Sequence, residues 1–453
     1  MSGTVNSMQE LFAQAASLLL GNALDAAKNH EAKSVLEALE YGVESGERID
    51  PKNTNRAHLL LAASRFARVF ELASPDAPGL ISFGAQFDPA LADPLHSGSP
   101  LVSVSGVGLT LQEAFQGCIG EGIEYLSQLQ TGTDLLFKPG VDDWSGKLNP
   151  NALELVVRLS ERRLQPERAL SWCRATRQAD GGAVWLPADI CLRRPPVQRD
   201  FVPPFPLSIG SAAGPSRDAA ALHGLLELIE RDAASLWWRG GQLARSIPAQ
   251  DPACIVAEEL LEKLRHGVSS PRRTWLLDIT TDIGVPCVAA VSCRADGSGF
   301  ACGLAARPAL DTAARSAIVE MCQGELADAI VAAKRGERGD DALNVQDRTH
   351  LRRAAINADQ CKLLQPTAEY AAHLPLHATE ASVIFELIVQ RLEQLGINAF
   401  CIDLTRECFA VPVVRVIVPG LQLEPSEIVT ARLQDTVART GGGSIYTGGV
   451  PLI

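Results

Sequence analysis

Three segments of the chain carry oxygen ligands at one fixed spacing. In LTLQEAFQGCIGEGIEYLS (109–127), GPSRDAAALHGLLELIERDA (214–233) and LDTAARSAIVEMCQGELA (310–327), an Ala is followed seven residues later by Glu, and three later by Glu or Gln. The positions are Ala114, Glu121 and Glu124; Ala220, Glu227 and Glu230; Ala313, Glu320 and Gln323. On a helix, residues i and i+3 share a face, so each copy presents two side-chain oxygens together. Glu227 and Glu230 interrupt an apolar run, and carboxylates so placed require cations or hydrogen-bond donors. Ligands that are all oxygen favour magnesium over zinc or copper. The plainer alternative is a repeated structural helix whose carboxylates pair with Arg231 and Arg239; three copies in one frame favour the metal.

Small residues precede two of these segments, in Ser103–Gly108 and in Ser208–Gly214. Such residues before a helix start let backbone N–H groups approach an anion. Ser105, Gly108, Ser211 and Gly214 are the candidates. Neither stretch ends in Gly-Lys-Ser/Thr, so neither is a P-loop. Carboxylate pairs beside anion-binding backbone suit a magnesium-bridged polyphosphate. Other templates fail: the chain has no GxSxG elbow and no HExxH. His223 lies four residues before Glu227 and reads as a core histidine ahead of a hydrogen-bond donor to the site. Trp237 and Trp238 read as packing.

The elements that must position these groups are helices alternating with short β-rich runs, which gives a mixed α/β (α+β) body over 81–453. Apolar periodicity over 8 to about 45 and again over 54–72 predicts a small helical preface covering 1–80, a packing or dimerisation element. A break falls at Asp50-Pro51. The proline-rich stretch 194–206 predicts an extended surface connection, and 335–348 a charged, solvated loop. A second internal repeat pairs 276–291 with 401–418: an apolar run ending in Asp-x-Thr, a turn, then Val-Pro and a β-branched strand. Asp278, Thr280 and Pro286 match Asp403, Thr405 and Pro412, a duplicated hairpin of structural meaning.

Composition bounds the classes of function. Of 453 residues, 46% are hydrophobic and 21% charged, a globular balance. The 41 basic and 53 acidic residues leave a net charge of −12, which disfavours a nucleic-acid scaffold. The 11 cysteines are dispersed, with no CxxC, and read as reduced buried thiols. No apolar run is long enough to span a membrane, and the opening residues lack the pattern of a secretory signal. A cytoplasmic protein is expected.

The stretch SAAGPSRDAAALHGLLELIERDA resembles the signature of the YcaO family. The flanking segments SGVGLTLQEAFQGCIGEGIEYLS, WCRATRQADGGAVWLPADICL, the Glu320-x-x-Gln323 helix and IDLTRECFAVPVVRVIVPGL follow in the family's order, over roughly 80–425. The resemblance implies a YcaO-like fold, with β-sheets covered by helices, and an ATP-dependent enzyme acting on backbone amides of ribosomally made precursor peptides. A Cys, Ser or Thr side chain adds to the preceding carbonyl, ATP phosphorylates the resulting oxygen, and loss of phosphate leaves a thiazoline or oxazoline, as in bacteriocin maturation. Thioamide formation with an external sulfur source is the alternative, and a nucleotide-binding scaffold subunit is a third. By resemblance, ATP and Mg2+ are held by Glu121, Glu124, Glu227, Glu230 and Glu320 as metal ligands, with Ser105, Gly108, Ser211, Gly214, Arg231 and Gln323 around the nucleotide. The implied partners are a separate leader-peptide-binding protein, ThiF-like or similar, a flavin-dependent dehydrogenase for azoles, and a second copy of the chain. The chain departs from the usual pattern at Val107, where Lys is frequent, and at Glu325, where some members carry Arg. It also lacks a Pro-x-Pro-x-Pro tail.

Overall fold

In the computed structural model the chain is described over residues 7–42, 51–137, 170–269, 272–368, 370, 376 and 378–453. Asp50, and the end of the first helical stretch near 45, lie outside these residues. The described chain forms helices against three antiparallel sheets. The first has the order β1 (Arg68–Ala73), β2 (Ile81–Phe87), β3 (Val102–Gly108). The largest comprises β4 (Trp172–Arg177), β5 (Ala183–Pro187), β6 (Ser211–Ala213), β10 (Phe400–Asp403) and β11 (Val413–Ile417), in the order β5-β4-β10-β11-β6. The last is β7 (Arg273–Asp278), β8 (Cys287–Cys293), β9 (Ala301–Ala306).

The three repeat segments are helices: Leu111–Gln128, Arg217–Trp238 and Leu310–Arg338. The first two begin as their sequences direct. Thr110 accepts from Glu113 N at 3.1 Å, and Ser216 accepts from Ala219 N at 3.2 Å, caps worth about 1 kcal/mol each. The third starts after Ala309 without a side-chain cap. Ala114, Ala220 and Ala313 are fully buried. One turn later, each helix backbone meets a strand or loop glycine. A Cβ on Gly106 would come within 2.1 Å of Cys118 N, one on Gly224 within 2.6 Å of Gly210 O, and one on Gly303 within 2.2 Å of Ala317 O. The small residues ahead of the helices therefore let helix and sheet approach. Gly108 and Gly214 have the same reason, since a Cβ on either would lie 2.7 Å from the N of Ala114 or Ala220.

The duplicated hairpin is real, and its turns share their hydrogen bonds. Thr280 N donates to Asp278 Oδ1 at 2.9 Å, and Thr405 N to Asp403 Oδ1 at 3.0 Å. The threonine hydroxyls accept from Cys287 N at 2.9 Å and from Val413 N at 3.1 Å, closing each turn onto its return strand.

The preface differs from an all-helical unit ending at 80. Its last helix stops at Arg65, and Arg68–Ala73 is a strand paired in register with Ile81–Phe87. A run of Val, Phe and Leu beside an open sheet edge gains a ladder of hydrogen bonds that a further helical turn could not supply. The helices Met8–Leu19, Ala26–Ala38 and Pro51–Arg65 share one core with the first site helix, through Phe12, Leu36, Leu60, Phe115 and Ile119. The expected loop at 335–348 is short, with helix to Arg338 and again from Val345. Within the proline-rich stretch Arg194 is buried, held by Asp189 at 3.0 Å and Asp200 at 2.8 Å, so the connection is pinned to the body. Among the described residues every cysteine is free and Cys408 alone is exposed. No described helix is long and apolar enough to cross a membrane.

Candidate functional site

Two of the three site helices anchor the first carboxylate of their frame on a backbone N–H at or beside the glycine they pack against. Gly210 N donates to Glu227 Oε2 at 3.0 Å, and Leu304 N donates to Glu320 Oε2 at 3.2 Å. The backbone N–H of Ser105 faces Glu121 and opposes the rise of its pKa. The third helix is tied to the first unit by Gln323, whose Nε2 donates to Ser105 Oγ at 3.2 Å. The frame read in sequence is thus a strand–helix unit used three times, its glutamates converging on one trough.

Glu227 is the electrostatic centre of that trough. Its charge raises the pKa of Glu121, Glu124, Glu230 and Glu320. Burial is the larger cause in all four cases, because removing a carboxylate from water disfavours its charged form. Glu121 opens onto the cleft yet lies deep in the molecule, and its pKa is pushed up to about 7. Glu230 is buried, and goes to about 8. Glu124 is held well above its usual range, against the opposing charges of Arg193 and Arg415; Gln128 Nε2 also donates to it at 3.1 Å. Glu320 is raised despite Arg231, Arg307 and the Leu304 amide.

Arg231 partly compensates this negative charge. Its Nη2 lies 3.5 Å from Glu227 Oε1 and 3.7 Å from Glu230 Oε1, while its Nε is buried with no partner among the described residues. An orphaned donor amid carboxylates is what an incoming phosphate oxygen would satisfy. Among the described residues no three Asp, Glu, His or Cys side chains cluster closely enough to hold a metal alone. Magnesium needs no such cluster, since it takes one or two carboxylates and fills its remaining positions with water and phosphate oxygens. The residues present therefore fit a magnesium–polyphosphate.

Residues 105–422 match the YcaO cyclodehydratase family, described as ATP- and Mg2+-binding. The chain belongs to the YcaO family. A protein of the tfuA 3' region in Rhizobium leguminosarum bv. trifolii is 29% identical over 276 residues, 57% of this chain and 62% of that one. The fold is similar to a heterocyclase solved with substrate and cofactor, at a TM-score of 0.66 and 20% identity, over 86% of this chain and 55% of the heterocyclase. It is also similar to YcaO from Methanopyrus kandleri bound with AMPPCP and Mg2+, at a TM-score of 0.56 and 21% identity, over 82% of this chain and 91% of that one. The chain thus spans less than two thirds of the Rhizobium protein and of the heterocyclase.

Against this YcaO frame, the residues singled out in sequence sort by place. Glu121, Glu124, Glu227, Glu230, Glu320, Gln323, Ser105 and Arg231 are brought together. Gly214 lines a cleft of about 810 Å3 with Glu121 and Glu124. Ser211 turns its hydroxyl inward, accepting from Arg415 Nη1 at 2.9 Å and donating to Leu207 O at 3.3 Å. His223 lines the same cleft rather than the core, its pKa lowered by desolvation and by Arg307. Trp237 and Trp238 are core residues, each 1% exposed. Glu325 faces away from the site, buried against Arg265 at 2.8 Å and Arg272 at 2.9 Å.

Three arginines escaped the sequence reading. Arg193 stacks 4.5 Å from the Tyr125 ring and acts on Glu124; Arg307 acts on Glu230 and Glu320; Arg415 is fully buried, donating to Ile190 O at 2.9 Å and to Leu207 O. Arg415 alone left a signal: a charge inside the apolar run Val411–Val418.

Proposed function

We propose that the chain uses Mg2+ and ATP to activate backbone amides of a ribosomally made precursor peptide, forming thiazoline or oxazoline rings. The observation that carries this reading is the gathering of Glu227, Glu230 and Glu320 around Arg231, whose Nε has no acceptor among the described residues. Magnesium ions would each draw one or two carboxylates from Glu121, Glu124, Glu227, Glu230 and Glu320, and Gln323, Ser105 and Arg231 would contact the nucleotide. Magnesium supplies Lewis-acid stabilisation of the transferring phosphoryl group. Arg231 orients phosphate oxygens through its free donor, and the anchored carboxylates keep their positions before any ligand arrives, so little reorganisation is needed.

The chemistry follows from the amide. Its oxygen is a poor leaving group; after the peptide's Cys, Ser or Thr side chain has added to the carbonyl, phosphorylation converts that oxygen into one that departs as phosphate. As phosphate departs, the amide nitrogen of the ring already closed by that addition loses its proton and forms C=N, a net loss of water from the peptide. The same reading takes the precursor from a separate ThiF-like leader-binding protein, passes azolines to a flavin-dependent dehydrogenase, and places the chain in the cytoplasm as a homodimer.

Incubating the full chain with candidate precursor, partner protein, ATP and magnesium, then weighing the peptide, tests it. A loss of about 18 Da per site is the expected covalent change. A gain of about 16 Da means oxygen exchanged for sulfur and replaces this reading with thioamide formation. Absence of peptide-stimulated ATP turnover makes the chain a scaffold.

A further inference from the structure

The Pro51–Arg65 helix precedes the residues matched to the family, yet it forms one wall of the cleft over Glu121 and Glu124. We propose that this N-terminal helix is part of the nucleotide site, and that Lys52 and Arg56 bind the polyphosphate of ATP. The inference rests on the ATP-dependent function proposed above and adds a segment to its site.

Lys52, Asn55 and Arg56 line the cleft opposite Glu121, Glu124 and Gly214. At i, i+3 and i+4 they share one helix face. The next two turns of the same stripe are locked into the core: Leu60 and Ala63, at i+4 and i+7 from Arg56, pack in the same cluster as Phe115 and Ile119 of the Glu121 helix. The two walls are thus rigidly related, and the cleft is a built feature.

Arg56 is positioned rather than waving in solvent. Its guanidinium lies 5.0 Å from the Tyr41 ring centre, and its Nη1 donates to Asn53 Oδ1 at 3.3 Å. Tyr41 is fixed in turn, its hydroxyl accepting from Gln116 Nε2 of the Glu121 helix at 3.2 Å. A guanidinium carries five N–H donors, so this placement leaves several for a ligand. Asn55 adds an independent sign: its Oδ1 is buried with no partner among the described residues. A ligand donor satisfies that atom; with the amide turned over, Nδ2 takes its place and donates to a ligand acceptor such as a phosphate oxygen.

The charge layout selects the ligand. A bare anion would be repelled by Glu121 and Glu124, and a bare cation by Lys52 and Arg56. A magnesium-bridged polyphosphate offers its metal to the acidic wall and its outer oxygens to the basic one. Bidentate-capable Arg and a point-charge Lys one turn apart are suited to successive phosphates.

The test uses the full chain and a β,γ-nonhydrolysable ATP analogue with magnesium, with binding followed by titration calorimetry and adenosine as the comparison ligand. The Lys52→Ala/Arg56→Ala double variant is expected to bind the triphosphate about 10–100-fold more weakly and adenosine with unchanged affinity. Lys52→Arg and Arg56→Lys, which keep the charges, are expected to stay within about threefold of the parent. Unchanged triphosphate affinity in the double variant overturns the inference, as does an equal loss for adenosine. A raised KM for precursor peptide with intact triphosphate binding also overturns it, making the wall a peptide surface. Glu227→Gln separates the two claims. If it weakens triphosphate binding while the double variant does not, only this inference fails; if neither does, the proposed function fails with it.

Discussion

Glu227 Oε2 accepts the backbone N–H of Gly210 at 3.0 Å across a close approach of helix and backbone, where a Cβ on Gly224 would lie 2.6 Å from Gly210 O. The hydrogen bond occupies one carboxylate oxygen and fixes the side chain, while the other remains beside Arg231. A carboxylate held in this way bears the repulsion of its four acidic neighbours without swinging out to solvent. The same solution recurs at Glu320 with Leu304, which explains why the first glutamate of the frame recurs and the second position tolerates Gln.

Glu227→Gln keeps an oxygen able to accept from Gly210, so the fold is expected to persist. ATP turnover is expected to fall at least about 100-fold, because the central charge that draws the metal is gone. Turnover in the presence of precursor, with circular dichroism as the folding control, measures this. Wild-type turnover would show that Glu227 binds no metal.

The raised carboxylates give a signed pH dependence. Glu121 and Glu230 shift from 4.5 to about 7 and about 8, so between these values the folded chain holds protons that the unfolded chain has released. Their contribution to the stability of the unliganded protein therefore falls as pH rises from about 4.5 through 8. Magnesium must displace the same protons, so its binding with nucleotide tightens over that range. Melting temperatures at pH 6 and pH 8, with and without magnesium and the ATP analogue, should show a larger ligand-induced rise at pH 8. Equal rises would mean that the carboxylates are already ionised at pH 6.

Gly106→Ala and Gly303→Ala each drive a Cβ to 2.1 Å from a helix backbone nitrogen, of Cys118 and Met321 respectively. Neither partner is a flexible side-chain end, so destabilisation of about 1–3 kcal/mol or more is expected, together with displaced glutamates. Gly120→Ala, on the same helix as Cys118, meets nothing within 4 Å and is expected to stabilise by about 0.5–1 kcal/mol. Urea unfolding of the three variants checks the order; a neutral Gly106→Ala would contradict the helix–sheet contact.

Glu325 is buried between Arg265 and Arg272 and accepts from Ser292 Oγ at 2.5 Å. Glu325→Gln removes the charge that two buried guanidinium groups share, of which Arg272 alone keeps another carboxylate among the described residues, Asp76 at 3.5 Å, and a loss of about 3–5 kcal/mol is expected. Affinity for the nucleotide, measured where the variant remains folded, should be unchanged. A loss of affinity equal to that of Glu227→Gln would place Glu325 in the site.

Local spacing carried much of this in the sequence. The Ala-x6-Glu-x2-Glu/Gln frame, its caps at Thr110 and Ser216, and the duplicated Asp-x-Thr hairpin depend on neighbours a few residues away, and periodicity records such neighbours. The mixed helix and sheet architecture and the family were legible for the same reason. Tertiary structure alone decided where the side chains went. It turned Ser211 inward and Glu325 to the far face, opened His223 to the cleft, and gathered Arg193, Arg307 and Arg415 around the glutamates. It also converted Arg68–Ala73 to strand and set Lys52 and Arg56 opposite Glu121. Each of these depends on contacts between segments distant along the chain, and burial and charge pairing at that range leave no period in the sequence.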